Sequence, residues 1–218
     1  MKKLYYILTI ILLVTTIKSQ AQNDSIYFWK AGAMIHKQSI KTADMDSITF
    51  RRPVATLVPV IGKAYQGGVI AYILQPGDPG YIEGEKHGLI AATTDQSAGV
   101  MWYKGTYTTT GATGTAIGTG LANTNAIIAN QGNTGRYAAK LCRDYKGGGY
   151  SDWFLPSKDE LLRLFINRVA IGGFHNNSYY WSSTEYDNFN AWSLLFTYVF
   201  EVKNKENNVY AVRAVRRF

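Results

Sequence analysis

Residues 149–161 read Gly-Tyr-Ser-Asp-Trp-Phe-Leu-Pro-Ser-Lys-Asp-Glu-Leu, and this stretch decides the fold. A helical pattern of apolar residues follows Pro156 and predicts a helix over residues 157–170. Ser157 and Glu160 have the spacing of a capping box, in which the serine oxygen accepts a backbone N–H and the glutamate reaches back to the cap. The stretch therefore predicts structural roles for four residues: Trp153, Pro156, Ser157 and Glu160.

Two more segments have helical spacing. Residues 135–146 place apolar side chains on one face, and the three glycines at 147–149 stop that helix. A shorter helix is predicted at 124–130, with Thr124 as its N-cap. The only cysteine, Cys142, falls within the 135–146 pattern, which indicates a buried structural thiol rather than a nucleophile.

The C-terminal third is dominated by strand patterns. Large apolar side chains alternate with smaller ones over residues 191–200, which predicts one strand with an apolar face, and 209–218 is predicted to be the closing strand. We expect Trp181 and Trp192 to lie in the core. Arg213 and Arg216 are expected to be structural, and the predicted partners of Arg213 are Glu185 and Glu160, since a buried charge needs an opposite one.

The segments 149–161, 180–185, 191–192 and 212–216 together resemble the C-terminal domain of Legionella collagen-like proteins, a family long described as a domain of unknown function. That family belongs to the C-type-lectin-like fold group, and the resemblance covers residues 62–218. It implies an α+β fold with antiparallel sheets flanked by two main helices, preceded here by a short N-terminal β segment.

The resemblance also carries functional expectations. The resemblance implies that the domain binds sulfated glycosaminoglycans and is carried on a trimer, as in the collagen-like family. This chain lacks collagen repeats, so its oligomeric state stays open. Calcium-dependent members of the fold group place their ligands in a late loop comparable to 185–190. The group also contains enzymes that work through a cysteine pair, and a chain with one cysteine does not carry that chemistry over.

The N-terminus has the pattern of a signal peptide. Lys2 and Lys3 precede an apolar run of roughly 14 residues, which is short for a membrane span that needs about 20. We therefore predict a signal peptide over 1–21 and no membrane span after its cleavage, so that the protein is secreted, periplasmic or on the cell surface. Residues 22–52 are predicted to be a short β leader, 53–61 a linker and 62–218 the lectin-like domain. The leader ends in a segment similar to one that follows signal peptides in Bacteroidetes surface proteins.

The charge distribution bears on possible partners. The chain has a formal net charge of +8, which falls to about +5 when Lys2, Lys3 and Lys18 leave with the signal peptide. Nucleic-acid-binding domains carry a dense basic stripe, and this sequence has none. The modest excess of positive charge favours a glycan or anionic polysaccharide as partner and argues against nucleic acid.

Two loops are the predicted binding surface, because loops on a rigid scaffold carry most recognition. One is the threonine- and glycine-rich stretch 105–120, and the other is 184–190. The candidate ligand-binding residues are Tyr107, Glu185, Tyr186, Asp187, Asn188 and Asn190. The carboxylates and amides of 185–190 are oxygen ligands suited to calcium, but too few acidic residues cluster there and no lectin triplet is present, so we expect no metal and no cofactor.

The sequence thus predicts a secreted, non-catalytic binding or adhesion module for a glycan or an anionic surface polymer, with no catalytic residues. Two alternatives stay open. One is an enzyme, or an enzyme remnant, that acts on a cell-wall or carbohydrate substrate. The other is a purely structural component of a surface assembly.

Overall fold

The computed structural model describes residues 25–30, 33–39, 58–197, 199–205 and 207–218. The chain divides into two compact units, Met1–Ala55 and Thr56–Phe218. In the first unit, strands β1 (Ser25–Lys30) and β2 (Ala33–Ser39) pair in antiparallel fashion within the range of the predicted β leader. The predicted signal peptide and residues 53–57 of the predicted linker lie outside the described residues.

The second unit contains two sheets. Four strands form an antiparallel sheet in the order β11-β5-β4-β3: β3 (Ala64–Tyr65), β4 (Gly68–Ile73), β5 (Gly88–Ala91) and β11 (Val215–Arg217). Five strands form the other, in the order β6-β10-β7-β8-β9: β6 (Ser97–Val100), β7 (Tyr179–Glu185), β8 (Asn190–Leu195), β9 (Val199–Asn204) and β10 (Tyr210–Val212). The pairing of β10 with β7 is parallel, and the other described pairings in this sheet are antiparallel. The α+β prediction is confirmed, and the arrangement is compatible with a C-type-lectin-like fold.

The described residues contain four α-helices: α1 (Gly120–Gln131), α2 (Ala138–Asp144), α3 (Lys158–Ile166) and α4 (Arg168–Ile171). The longest of them is α1, which the sequence predicted as a shorter helix at 124–130 beside the two main ones. The cap assignment of Thr124 was wrong, because this residue is buried inside α1, where its hydroxyl accepts the N–H of Leu155 at 3.0 Å. The helix starts at Gly120 instead, and a Cβ there would lie 2.1 Å from Glu160 Oε2.

The capping box of α3 is confirmed. The Oγ of Ser157 accepts the N–H of Glu160 at 3.3 Å, and the N–H of Ser157 donates to Glu160 Oε2 at 2.8 Å. The predicted helix over 157–170 breaks at Asn167, whose side-chain amide donates to the backbone oxygen of Ala71 in β4 at 2.9 Å. This break sets α3 and α4 as separate elements against the sheets.

The predicted strand over 191–200 is a hairpin. The backbone turns at residues 196–197, and Leu194 of β8 pairs with Phe200 of β9. Directly opposed residues of an antiparallel pair share a face, so the hairpin keeps Leu194 and Phe200 on one side just as a continuous strand would. Alternation alone does not separate the two arrangements.

The predicted closing strand 209–218 is also split, because β10 belongs to one sheet and β11 to the other. Arg213 and Ala214 form the crossover between them. The N–H of Ala214 donates to Gln96 Oε1 at 2.5 Å, and its backbone oxygen accepts the N–H of Ala92, just after β5, at 2.9 Å. The closing segment therefore ties the two sheets together.

Among the predicted core tryptophans, Trp153 and Trp181 are fully buried in one apolar cluster with Trp102. The core prediction was wrong for Trp192, which is only partly buried on β8. Within the described ranges, no helix is long and apolar enough to cross a bilayer.

Candidate binding surface

The two loops predicted to bind a ligand meet in the structure. The ring of Tyr107, in the threonine- and glycine-rich loop, lies edge-on to that of Phe189 with centroids 5.0 Å apart. Tyr107 also stacks on Tyr103 at 5.0 Å, and its hydroxyl donates to Asn204 Oδ1 at 3.0 Å. Tyr107 is thus the contact through which the loop after β6 reaches the turn between β7 and β8.

Glu185 joins the same two loops from inside. Its side chain is 1% exposed, and its carboxylate accepts the N–H groups of Thr110 and Gly111 at 2.9–3.0 Å. The Nζ of Lys205 lies 2.6 Å from Glu185 Oε1. The Glu185 carboxylate therefore faces the protein interior. There it holds the threonine- and glycine-rich loop, with which it was predicted to form the ligand-binding surface.

Lys205 completes the inner side of the turn. Its ammonium donates to the backbone oxygens of Asp187 and Asn188 at 2.7 and 3.1 Å, besides its ion pair with Glu185. All three N–H donors are thereby used, and the Nζ lies 4.6 Å from the ring centroid of Trp102. Burial lowers the pKa of Lys205, and the hydrogen bond and charge of Glu185 act in the opposite direction.

Asp187 and Asn190 shape the turn between β7 and β8. Asp187 Oδ1 accepts the N–H groups of Phe189 and Asn190 at 2.8 and 2.7 Å, and the Asn190 amide donates to both carboxylate oxygens at 3.0 Å. Desolvation raises the pKa of the Asp187 carboxyl, but the hydrogen bonds from Asn190 and Phe189 outweigh it and leave the pKa below its ordinary value. The turn's own backbone therefore occupies the carboxylate of Asp187.

The outer side of the turn carries an aromatic and cationic surface. Tyr186 is 57% exposed, and its ring lies edge-on to Trp192 with centroids 5.6 Å apart. The Nζ of Lys158 lies 4.1 Å above the Trp192 ring and 5.1 Å from that of Phe200. Within the part of the chain that the structure describes, no carboxylate lies within 4.0 Å of this ammonium. We call these four residues, Lys158, Tyr186, Trp192 and Phe200, the aromatic–cationic patch.

A polar pocket of about 330 Å³ opens beside the first loop. Its lining consists of Lys104, Gly105, Thr106, Thr108, Asn130 and Gln131. The Nζ of Lys104 donates to the hydroxyl of Thr134 at 2.6 Å. The Gln131 amide nitrogen donates to the backbone oxygen of Thr106 at 3.2 Å, which fixes the loop against the end of α1.

Two of the three arginines of the closing segment, Arg213 and Arg216, are held by acids. Arg213 is buried as expected, but its predicted partners Glu185 and Glu160 were wrong, because its Nε lies 2.5 Å from Asp95 Oδ1. The crossover between sheets aims the Arg213 guanidinium at the backbone oxygens of Gly172 and Gly173 and away from both glutamates. Arg216 forms a two-pronged pair with Asp152 at 2.7 and 2.9 Å and stacks on Tyr150.

Groups suited to nucleophilic or metal chemistry are scarce in the described ranges. Burial raises the pKa of the Cys142 thiol well above its ordinary value, so the thiolate nucleophile is disfavoured. Within those ranges no group of three or more His, Cys, Asp and Glu side chains is placed to hold a metal ion. Sequence reasoning missed Lys205 and Asp95, whose buried ion pairs join positions far apart in the chain and leave no local sequence signal.

The comparison with known families gives one match. The family model described as the Lcl C-terminal domain matches residues 91–216, which is more than half of the chain. The match contains the segments 149–161, 180–185 and 212–216 and confirms the resemblance drawn from them. No curated protein matches the chain.

Proposed function

We propose, from the premise that this chain belongs to the Lcl C-terminal domain family, that the domain is a non-catalytic binding module of an exported protein and that its ligand is an anionic glycan. The aromatic–cationic patch is the proposed contact surface. This assignment extends the expectation of a secreted adhesion module and gives it a defined place on the molecule.

The observation that carries the proposal is the position of Lys158. Its ammonium lies over the Trp192 ring next to the exposed Tyr186, and among the described residues no carboxylate neutralises it within 4.0 Å. A sugar ring stacks its C–H face on an aromatic ring, and a sulfate or carboxylate on that sugar pairs with an ammonium. A patch with both features suits a charged saccharide better than a neutral one.

The hydrogen-bonded carboxylates of the 184–190 loop support a binding role over a catalytic one. General acid–base catalysis by these residues requires a carboxyl group within reach of a substrate proton. Glu185 and Asp187, the two acids of the predicted loop, instead hold loop N–H groups, and Glu185 is also paired with Lys205. The most exposed side chains of this loop, Tyr186 and Phe189, are aromatic.

The test is binding of the mature protein to heparin, a sulfated glycosaminoglycan, and to dextran, an uncharged polysaccharide, by isothermal titration calorimetry. We expect heparin to bind and dextran not to, with binding weakened by salt because the contact is ionic. Lys158→Ala and Tyr186→Ala should each weaken heparin binding several-fold. Lys63→Ala, which removes an exposed lysine elsewhere, is the matched control for net charge.

Two outcomes would count against the proposal. Equal losses in Lys158→Ala and Lys63→Ala would mean that binding follows net charge and not the patch. Cleavage of the bound polysaccharide, seen as new reducing ends, would favour the enzyme alternative.

A further inference from the structure

The turn between β7 and β8 surrounds a positive charge with oxygen atoms. Glu185 Oε1 and the backbone oxygens of Asp187 and Asn188 converge on one point, at distances of 2.6, 2.7 and 3.1 Å from the Nζ of Lys205. We call these three oxygens the oxygen cage. Lys205 is 1% exposed, so its ammonium fills the cage from within the domain and not from solvent.

Calcium, which some members of the C-type-lectin-like group use in a late loop, does not fit this cage while Lys205 is present. Calcium binds six to eight oxygens at about 2.3–2.6 Å. An ammonium already sits among the cage oxygens, and two cations cannot share one carboxylate oxygen at such distances without strong repulsion. The Asp187 carboxylate offers no alternative, since it points into its own turn.

The ligand chemistry itself is nevertheless that of a hard cation. One carboxylate and two backbone carbonyls are the kinds of oxygen that calcium takes from proteins, and a second Glu185 oxygen belongs to the same side chain. The Glu185 and Asp187 oxygens lie 2.6 and 2.7 Å from Nζ, close to the calcium–oxygen distance of about 2.3–2.6 Å, whereas the Asn188 oxygen at 3.1 Å would have to move in by at least about 0.5 Å. Water would complete the coordination.

We propose that Lys205 acts as a built-in cation that replaces a metal ion in this turn, and that removal of its ammonium converts the oxygen cage into a calcium site. The ordering of the 185–190 loop then depends on a residue of the segment that follows β9 and not on calcium in solution. This inference does not rest on the glycan proposal, because its test contains no glycan.

The test compares wild type, Lys205→Ala and the matched control Lys203→Ala, whose lysine lies two residues earlier on β9 and outside the cage. Thermal melts are recorded in millimolar calcium and in chelator. We expect the wild-type and Lys203→Ala melts to superimpose in the two buffers. Lys205→Ala should melt at a lower temperature in chelator and shift upward in calcium.

Terbium luminescence provides a direct readout of the site. Terbium stands in for calcium and emits when a nearby indole passes excitation energy to it, and the Trp102 ring centroid lies 4.6 Å from the Nζ that the metal would replace. Lys205→Ala should give emission on tryptophan excitation that calcium competes away. Wild type and Lys203→Ala should give none.

Each outcome decides the question. A folded Lys205→Ala with neither a calcium shift nor terbium emission would overturn the proposal. If Lys205→Ala is unfolded in chelator, the proposal requires calcium to restore the folded circular dichroism spectrum, and an unfolded spectrum in both buffers would equally overturn it. A calcium shift in wild type that Asp187→Ala abolishes would place a metal elsewhere in the turn and refute the built-in cation.

Discussion

Two buried glutamates hold the threonine- and glycine-rich loop at two places and in different ways. Glu185, at the end of β7, binds the N–H groups of Thr110 and Gly111, and Glu160, in the first turn of α3, binds the N–H of Gly118. Glu185 is neutralised by Lys205 at 2.6 Å. Within the described part of the chain, no Lys, Arg or His nitrogen lies within 4.0 Å of Glu160.

The difference shows two ways to keep a carboxylate inside a protein. Glu160 relies on backbone N–H groups at the start of a helix, where the helix dipole also favours negative charge. These donors do not fully offset desolvation, and burial raises the pKa of the Glu160 carboxyl above its ordinary value. Glu185 has a full counter-charge, so its loss leaves a second buried ion behind. The two places at which the loop is held should therefore respond differently to mutation.

The largest effect is expected for Glu185→Ala. The substitution leaves the Lys205 ammonium buried without its counter-ion, which costs about 3–5 kcal/mol in the free energy of unfolding. Urea titration followed by tryptophan fluorescence measures the loss. The double variant Glu185→Gln/Lys205→Met removes both charges and should recover most of it. Equal losses in the single and double variants would show that the ion pair itself is not responsible.

Gly120→Ala tests how closely α1 approaches the Glu160 carboxylate. Alanine in place of a helix glycine ordinarily adds about 0.5–1 kcal/mol of stability. Here the new Cβ would lie 2.1 Å from Glu160 Oε2 and 2.8 Å from the backbone nitrogen of Ser157, so we expect a loss of about 1–3 kcal/mol. Gly99→Ala is the control, because its nearest neighbours lie 3.7 Å away. A Gly120→Ala protein more stable than wild type would contradict the contact.

The next largest effect is expected in the pH dependence that Glu160 gives to stability. The raised pKa of Glu160 means that the folded state binds this proton more tightly than the unfolded state. Its contribution is fully present below the unfolded pKa and is lost as pH rises through the folded pKa, by about 1.4 kcal/mol per unit of difference. Glu160→Gln lacks this titration. The advantage of wild type over Glu160→Gln should therefore be larger near pH 4 than near pH 7, measured by urea unfolding at both. A constant difference would show that Glu160 titrates alike in both states.

The role of Glu160 was partly predictable from sequence, and the role of Glu185 was not. The capping box depends on residues three positions apart, so Ser157 and Glu160 show it in the sequence itself. The α+β class was predictable for a similar reason, since the motifs that carry the family resemblance are short and contiguous in the sequence. What the sequence did not show is that Glu160 also holds Gly118, 42 positions earlier.

Long-range partners account for most of the errors. Arg213 pairs with Asp95, 118 positions away, because the last segment crosses between two sheets. Glu185 was interpreted as a ligand-binding candidate because its neighbours are polar, yet Lys205, 20 positions later, holds it inside. The spacing that marked Trp192 as core holds for Leu194, which lies on the same face two residues later and is 1% exposed. Trp192 itself is only partly buried, because local spacing does not encode how far the covering elements extend along a face.

Lys158→Ala should have the smallest effect on stability, although this residue directly follows the cap of α3. A positive charge at a helix N-terminus opposes the dipole by about 0.3–1 kcal/mol, whereas a cation over an aromatic ring contributes about 0.5–1 kcal/mol. These terms nearly cancel, so we expect the free energy of unfolding to change by less than about 0.5 kcal/mol. Urea unfolding of Lys158→Ala beside Lys63→Ala measures this. A loss above that range would make Lys158 a structural anchor for Trp192, and any fall in heparin binding would then reflect a displaced surface and not a missing charge.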